Sequence, residues 1–212
     1  MTELIVFDLD GTLIDSMQDI AGAVNRMRES FGLAPLPFET VKDMTGDGAR
    51  SLVTRALQGT GISVDEGAKR QREFYTAHPV DTTILYPGVS EGLAQMKEKG
   101  IRLAVVTNKQ THLAEMILKN FGVDRFFDVI WGGDSGFPLK PDPTALLAFQ
   151  KQCGAAAENC WMLGDHYTDL GAGRQAGFRR ALARWGFGDP REESFDREFD
   201  SFAEFTQAVT QA

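Results

Sequence analysis

Residues 4–12 read Leu-Ile-Val-Phe-Asp-Leu-Asp-Gly-Thr, an apolar run followed by two acidic residues and a glycine. Its first four residues are all apolar, which is typical of a strand that is covered on both faces of a parallel sheet. Asp8 and Asp10 follow directly, and their spacing turns both carboxylates to one side if the backbone stays extended. Two carboxylates can share one Mg²⁺ ion, and Gly11 lets the chain turn so that backbone N–H groups face an anion. Taken alone, an ordinary Asp/Gly turn that closes a strand fits these residues equally well.

Apolar runs and helical patterns alternate along much of the remaining chain. Further strands are predicted at residues 101–106, 127–131 and 160–163, with a weaker one at 180–184. Helical patterns between them begin after Pro87-Gly88, at Thr111 and after Asp142-Pro143. This alternation predicts an α/β domain with a doubly wound (Rossmann-like) parallel sheet. Four aromatic residues near the C-terminus are expected on a helix that docks on the sheet: Phe195, Phe199, Phe202 and Phe205.

Residues 15–83 interrupt this alternation, because they contain no clear strand of their own. Apolar residues recur at helical spacing over residues 17–31, a second helix is predicted at 49–57, and a third begins near Asp65. We therefore predict two domains. Residues 1–14 and 84–212 form the α/β core, and residues 15–83 form a small α-helical cap inserted after the first strand.

Polar residues stand directly after three of the predicted strands. Asp8, Thr107 and Asp165 each occupy such a position, and ligands of doubly wound sheets bind outside the carboxyl ends of the strands. The hydroxyl of Thr107, followed by Asn108 at a helix entrance, suits a phosphate group, although an ordinary N-cap explains the pair as well. The strand ends therefore predict one ligand site.

Two further features add charge to this site. Lys140, in the loop before Pro141, can counter a phosphate in an acidic chain, although a solvated surface lysine explains it too. Asp165 and Asp169 lie four residues apart and share one face if a helix begins there, where they could complete a metal site. Acidic residues at a helix start are also favoured by the helix dipole alone.

Composition excludes several classes of function. The 212 residues include 22 Lys and Arg against 30 Asp and Glu, a formal net charge of −8. Such a balance argues against a nucleic-acid surface and against adhesion to anionic membranes. We find no apolar run of the roughly 18 residues that a membrane span needs, and no signal peptide. Cys153 and Cys160 are too few for a disulfide framework, so we expect reduced thiols and a cytoplasmic protein.

In combination the motifs are specific, because they occur in a fixed order along the whole chain. They are Asp8-x-Asp10-x-Thr12, Thr107-Asn108, Lys140-Pro141 and Gly164-Asp165-x-x-x-Asp169. This order resembles the haloacid dehalogenase superfamily, and the insertion after the first motif resembles that superfamily's helical cap. Within the superfamily, the resemblance implies that Asp10 favours phosphoryl chemistry over dehalogenation, and that Thr12 favours a phosphatase over a phosphosugar mutase.

The resemblance implies a mechanism. Asp8 is the expected nucleophile and forms an aspartyl-phosphate, while Asp10 protonates the leaving alcohol and then activates water. Thr107 and Lys140 are expected to hold the phosphoryl oxygens, with Gly11, Thr12 and Asn108 also at the substrate. The expected Mg²⁺ ligands are the Asp8 carboxylate, the backbone carbonyl of Asp10 and Asp165, with Asp169 as an outer acid.

Residues of the predicted cap narrow the expected class of substrate further. Residues 45–52, Thr-Gly-Asp-Gly-Ala-Arg-Ser-Leu, resemble phosphoglycolate phosphatases. Gly46 and Gly48 would let the cap backbone approach the substrate, and Arg50 could bind a carboxylate at the end opposite to the phosphate, although an exposed helix charge fits Arg50 equally well. Two positions depart from the pattern. His166 replaces a small residue and is expected to point outwards, and Asp47 replaces Asn and could place negative charge near an anionic substrate.

The leading hypothesis is a Mg²⁺-dependent phosphatase of a small phosphorylated metabolite, with 2-phosphoglycolate first, acting as a monomer or homodimer. A sugar-phosphate phosphatase, a pyrophosphatase and a phosphosugar mutase are the alternatives within the superfamily. A phosphoacceptor signalling module also uses Asp, Thr and Lys around Mg²⁺, although such modules are shorter and lack an inserted cap.

Overall fold

A six-stranded parallel sheet forms the centre of the molecule, as a computed structural model shows for residue 1 and residues 3–211. Its strands are β1 (Leu4–Phe7), β4 (Arg102–Val106), β5 (Val129–Trp131), β6 (Cys160–Gly164), β7 (Arg179–Ala183) and β8 (Arg197–Phe199). The strands lie in the order β5-β4-β1-β6-β7-β8. Strand β1 is therefore flanked by β4 on one side and by β6 on the other, where the strand order reverses. This is the position at which doubly wound sheets bind ligands.

Helices cover both faces of the sheet. Helices α5 (Val89–Glu98), α6 (Thr111–Asn120) and α9 (Phe202–Thr210) pack on one face, and α7 (Thr144–Cys153) and α8 (Tyr167–Ala176) pack on the other. Within β1, Ile5 and Phe7 join the first hydrophobic cluster, whereas Leu4 and Val6 join the second. Successive side chains of a strand point to opposite faces, so all four must be apolar. The α/β fold predicted from this stretch is confirmed.

The segment between β1 and β4 carries a separate group of helices. They are α1 (Met17–Ser30), α2 (Phe38–Lys42), α3 (Ala49–Ala56) and α4 (Val64–Ala77), and α4 packs against both α1 and α3. A short antiparallel ribbon precedes and follows them, with β2 (Ile14–Asp15) paired to β3 (Ile84–Leu85). The division of the chain at 14/15 and 83/84 into core and cap remains our proposal, and this ribbon lies at both points.

The carboxylate of Asp19 links the two ends of the inserted segment beside the β2–β3 ribbon. Asp19, in the first turn of α1, accepts hydrogen bonds from the backbone N–H and the hydroxyl of both Thr82 and Thr83, at 2.6–3.1 Å. Burial opposes ionisation of Asp19, but these hydrogen bonds outweigh it and lower its pKa. The two ends of the inserted segment are thereby held together.

The C-terminal region differs from the expectation of a single helix. Only Phe202 and Phe205 lie on α9, where both are buried. Phe199 ends β8, and Phe195 lies before that strand with 37% of its surface exposed. Strand β8 has three residues, which is too short for a recognisable alternation of apolar and polar side chains. It forms because the edge of β7 offers unpaired backbone groups to it.

Candidate active site

The site begins where β1 ends. Asp8 follows Phe7, its backbone N–H donates to the carbonyl of Leu163 at 3.0 Å, and its carboxylate lies in the crevice between the neighbouring strands. Burial, together with the nearby carboxylate of Asp169, raises the pKa of Asp8 to about 6, although the ammonium of Lys140 opposes the shift. A carboxylate in this position is desolvated and close to other negative charge.

Lys140 is the cation at the centre of the site. Its Nζ lies 2.8 Å from Oδ1 of Asp8 and 2.7 Å from Oδ1 of Asp169, and only 2% of its side chain is exposed. The two carboxylates raise the pKa of Lys140 despite its burial. The alternative of a solvated surface lysine is therefore wrong. The sequence could not show this burial because 132 residues separate Lys140 from Asp8.

Asp165 and Asp169 complete an acidic cluster with Asp8. One carboxylate oxygen of each of the three residues lies within 4.8 Å of the others, and all three groups are buried. The backbone N–H groups of Phe187 and Gly188 donate to Oδ2 of Asp165 at 3.0 and 2.7 Å. Burial and the two other carboxylates raise the pKa of Asp165 well above its ordinary value. The cluster therefore favours a bound cation.

The charge and donor chemistry of the cluster fit Mg²⁺. The three carboxylates of Asp8, Asp165 and Asp169 meet here against the one ammonium group of Lys140, which leaves a formal charge of −2. Carboxylate oxygens are the hard ligands that Mg²⁺ prefers. A divalent cation would neutralise the remaining charge, so the residues present suit this ion.

The side chain of Asp10 has different partners. Nζ of Lys109 lies 2.8 Å from both of its carboxylate oxygens, and the hydroxyl of Ser16 donates to Oδ1 at 2.5 Å. No role was predicted for Lys109 or Ser16. The available signal for Lys109 is the run Thr107-Asn108-Lys109, which resembles the corresponding run of phosphoglycolate phosphatases. The carboxylate of Asp10 is held apart from the acidic cluster, and its backbone carbonyl as a metal ligand remains a prediction.

Gly11 and Thr12 do not line the cavity that contains Asp8 and Asp10. Gly11 has a φ of +81°, and a Cβ at this position would lie 1.9 Å from Oδ2 of Asp165. The absence of a side chain at Gly11 thus leaves room for the carboxylate of Asp165. The Thr12 side chain is fully buried, and its backbone carbonyl accepts a hydrogen bond from Nε1 of Trp185 at 3.0 Å. The substrate contacts predicted for these two residues find no support in this geometry.

Thr107 and Asn108 occupy the end of β4, beside Asp8. Thr107 is buried, and both Thr107 and Asn108 line the cavity; their contacts with phosphoryl oxygens and substrate remain predictions. The side-chain amide of Asn108 donates to the carbonyls of Gly46 and Lys140, both at 3.1 Å, and its Oδ1 accepts from the N–H of Lys140 at 2.9 Å. The polar atoms of the Asn108 side chain are therefore hydrogen-bonded to protein groups. These bonds join the loop that contains Lys140 to the helical segment.

The helical segment between β2 and β3 covers the site. The cavity encloses about 430 Å³ and is lined by Gly46, Gly48 and Arg50 as well as by the residues at the strand ends. Gly48, with a φ of +87°, precedes α3. Arg50 lies at the cavity rim, where 70% of its side chain is exposed and its Nη1 is 2.6 Å from Oδ1 of Asp65. The structure thus places all three predicted cap residues at the cavity.

His166 points into the cavity, so the expectation that it points outwards is wrong. It is 6% exposed, its Nδ1 is 2.9 Å from the hydroxyl of Thr168, and its ring packs against Gly46. A Cβ on Gly46 would lie only 2.2 Å from that ring. Burial lowers the pKa of His166 to about 4, so the ring is neutral at pH 7. The contact depends on two segments 120 residues apart, which the sequence alone could not bring together.

Asp47 does not place an uncompensated charge beside the substrate. Its carboxylate accepts hydrogen bonds from the hydroxyl of Tyr167 and from the guanidinium of Arg55. Burial opposes ionisation of Asp47, but these two partners outweigh it and lower the pKa. Asp47 thus joins α3 to the start of α8, and it is not among the residues that line the cavity.

Among the described residues 1 and 3–211, no helix combines the length and the apolar character required to cross a membrane.

Comparison with known proteins agrees with this geometry. Residues 5–183 match the haloacid dehalogenase-like hydrolase family. The chain is 36% identical to a phosphoglycolate phosphatase of Psychrobacter arcticus, covering 99% of this chain and 96% of the relative. A phosphoglycolate phosphatase of Aquifex aeolicus is 38% identical, over 87% of this chain and 85% of the relative.

Solved structures of similar proteins agree with this family match. The crystal structure of a predicted phosphoglycolate phosphatase from Haemophilus somnus 129PT superposes with a TM-score of 0.92 at 29% identity, covering 98% of each chain. CbbY from Rhodobacter sphaeroides, solved in complex with phosphate, superposes with a TM-score of 0.85 at 27% identity over the whole of both chains. The chain belongs to the haloacid dehalogenase-like hydrolase family.

Proposed function

We propose that the protein is a Mg²⁺-dependent phosphatase of small phosphate monoesters, with 2-phosphoglycolate as its substrate. The observation that carries the proposal is the buried Lys140 ammonium, which bridges Asp8 and Asp169 beside Asp165 at the end of the central strand. An attacking carboxylate and a phosphate dianion repel each other. Cationic charge at this point reduces that repulsion and stabilises the charge that develops in the transition state.

In the first half-reaction, a carboxylate oxygen of Asp8 forms a bond to phosphorus and the ester P–O bond breaks. Asp10 donates a proton to the departing alcohol oxygen. Thr107 and Lys140 are the residues that bind the phosphoryl oxygens as the group is transferred. In the second half-reaction, water attacks the phosphorus of the aspartyl-phosphate, its proton passes to Asp10, and the Asp8 carboxylate is released together with phosphate.

Asp8, Asp165 and the backbone carbonyl of Asp10 would hold Mg²⁺, and Asp169 would order this ligand set from outside. When bound, the ion supplies Lewis acidity to the phosphoryl oxygens and neutralises the acidic cluster. Lys140 keeps Asp8 oriented through its second contact with Asp169. The cap segment excludes water from the cavity, which strengthens these charge interactions.

The substrate assignment rests on the cap and on the relatives. The enclosed volume of about 430 Å³ suits a small metabolite. Arg50 lies at the rim on the cap side and can exchange its contact with the exposed Asp65 for a substrate carboxylate, since guanidinium binds carboxylate groups in a bidentate manner. Relatives that match nearly the full chain are named phosphoglycolate phosphatases, and CbbY was solved with phosphate.

The test is phosphate release from a panel of small phosphate esters, with and without Mg²⁺. We expect hydrolysis to require Mg²⁺, and kcat/KM for 2-phosphoglycolate to exceed that for sugar phosphates and pyrophosphate by at least about ten-fold. A leading sugar phosphate would keep the core chemistry and overturn the substrate. Stable phosphorylation of Asp8 without turnover would favour a phosphoacceptor module, and return of phosphate to a sugar would indicate a mutase.

Arg50→Ala separates substrate recognition from chemistry. We expect KM for 2-phosphoglycolate to rise about ten-fold or more, because a charge-assisted contact is worth roughly 1.5–3 kcal/mol. KM for the carboxylate-free p-nitrophenyl phosphate should change little. Steady-state kinetics with both esters provide the measurement, and Arg26→Ala, in the same helical segment but outside the residues that line the cavity, serves as the control. Equal changes in KM for the two esters would remove Arg50 from substrate recognition.

A further inference from the structure

The pair formed by Asp10 and Lys109 is separate from the Lys140 site. Lys109 follows β4 and approaches Asp10 across the crevice, with Nζ equidistant, at 2.8 Å, from both carboxylate oxygens. Only 8% of the Lys109 side chain is exposed. A buried ammonium with two contacts to one carboxyl group restricts how that group can rotate, because rotation would leave buried charge unpaired.

The cap covers this pair with an aromatic ring. Tyr75, on α4, has 3% of its surface exposed, and its ring centroid lies 4.5 Å from Nζ of Lys109. This is a cation–π contact, which gains strength where water is excluded. The hydroxyl of Tyr75 is buried and has no hydrogen-bond partner among the described residues. The Tyr75 ring is therefore in direct contact with the ammonium of Lys109.

We propose that Lys109 is a positioning residue for Asp10, and that Tyr75 holds Lys109 in place when the cap is closed. The inference rests on the proposed function, in which Asp10 exchanges a proton with the leaving alcohol and with water. Lys109 can hold one carboxyl oxygen of Asp10 while the other exchanges that proton. Closure of the cap over a substrate would thereby complete the arrangement of the proton-transferring group.

The test compares two leaving groups. An alkyl phosphate such as 2-phosphoglycolate needs a proton on its departing oxygen, whereas p-nitrophenolate leaves without one. Because kcat/KM reports the steps up to phosphoryl transfer, it isolates this difference from the later hydrolysis that both esters share. We expect Lys109→Met to lower the alkyl-to-aryl ratio of kcat/KM by about 100-fold.

Further variants sharpen the comparison. Lys109→Arg should recover most of the ratio, because the positive charge and the hydrogen-bond donors remain. Tyr75→Leu should shift the ratio in the same direction as Lys109→Met, by about ten-fold, since the ring no longer covers the ammonium. Lys119→Met, the same change on the exposed end of α6, should leave the ratio unchanged. Equal losses for both esters, or no loss at all, would overturn the proposal.

A crystal structure of Lys109→Met gives a readout that does not depend on activity. We expect the Asp10 carboxylate to rotate away from the position it has in the wild-type protein. An unmoved carboxylate would overturn the positioning role, even if the alkyl-to-aryl ratio falls. If the wild-type protein released phosphate from no ester, the proposed function would fail, while this structural comparison would still decide whether Lys109 positions Asp10.

Discussion

Asp8→Asn is expected to abolish phosphate release, with kcat at least about 10⁴-fold lower, because an amide is not nucleophilic towards phosphorus. The fold should be retained. Asn is nearly isosteric with Asp, and its side-chain oxygen can still accept a hydrogen bond from Lys140. Phosphate release and acid-quench detection of a phosphorylated protein provide the measurements, and both signals should disappear together.

The stability of this variant gives an independent check. The pKa of Asp8 is raised to about 6 in the folded protein, above the ordinary value of 3.8. Its ionised form therefore disfavours the folded state once the pH rises through 6. Without Mg²⁺ at pH 8, Asp8→Asn should have a Tm no lower than that of the wild-type protein. Asp43→Asn, at an exposed position beyond α2, is the matched control. Retained turnover in Asp8→Asn would remove Asp8 as the nucleophile.

Lys140→Met is expected to lower kcat/KM by about 10²–10³-fold, because the transition-state charge loses its fixed cation. The variant also leaves Asp8 and Asp169 facing each other without an ammonium between them. Removing one partner of a buried ion pair costs about 3–5 kcal/mol of unfolding free energy. Urea denaturation without Mg²⁺ measures that cost.

The loss of stability in Lys140→Met should depend on pH. Loss of the ammonium raises the pKa of Asp8 further above its value in the unfolded chain, so protonation relieves the repulsion at low pH. The destabilisation should be smaller at pH 5 than at pH 8, and added Mg²⁺ should restore part of the stability at pH 8. Lys151→Met, on the exposed side of α7, is the control. A destabilisation that is independent of pH would show that Lys140 contributes by packing rather than by charge.

The central sheet and the motif positions follow from local sequence signals. Residues 4–12 already contain a strand that is apolar on both faces and a sharp turn that presents two acids. Asp8, Thr107 and Asp165 follow strands, and parallel topology places all strand ends with this polarity at one edge. That shared edge explains how the sequence alone could predict contacts between residues that lie more than 150 positions apart.

The burial of the site residues and the identity of their hydrogen-bond and ion-pair partners did not follow from those local signals. Lys140 was predicted to contact phosphate, but in sequence a solvated surface lysine explained it as well; it is the most enclosed cation of the site. His166 was expected to point outwards but packs beneath Gly46, and Asn108 not only lines the cavity but also joins Gly46 to the Lys140 loop. Such contacts depend on where an inserted segment comes to rest on the core, and no local pattern encodes that position.

Five of the six strands, three of the four inserted helices and the order of the chemical groups could be predicted from the amino-acid sequence, because hydrophobic periodicity and strand polarity are local properties. The tertiary structure alone decided that Lys109 binds Asp10 under Tyr75, and that Asp47 binds Arg55 and Tyr167. These pairs form because each buried charge requires a partner, and the partner available is set by the packing of the cap against the core.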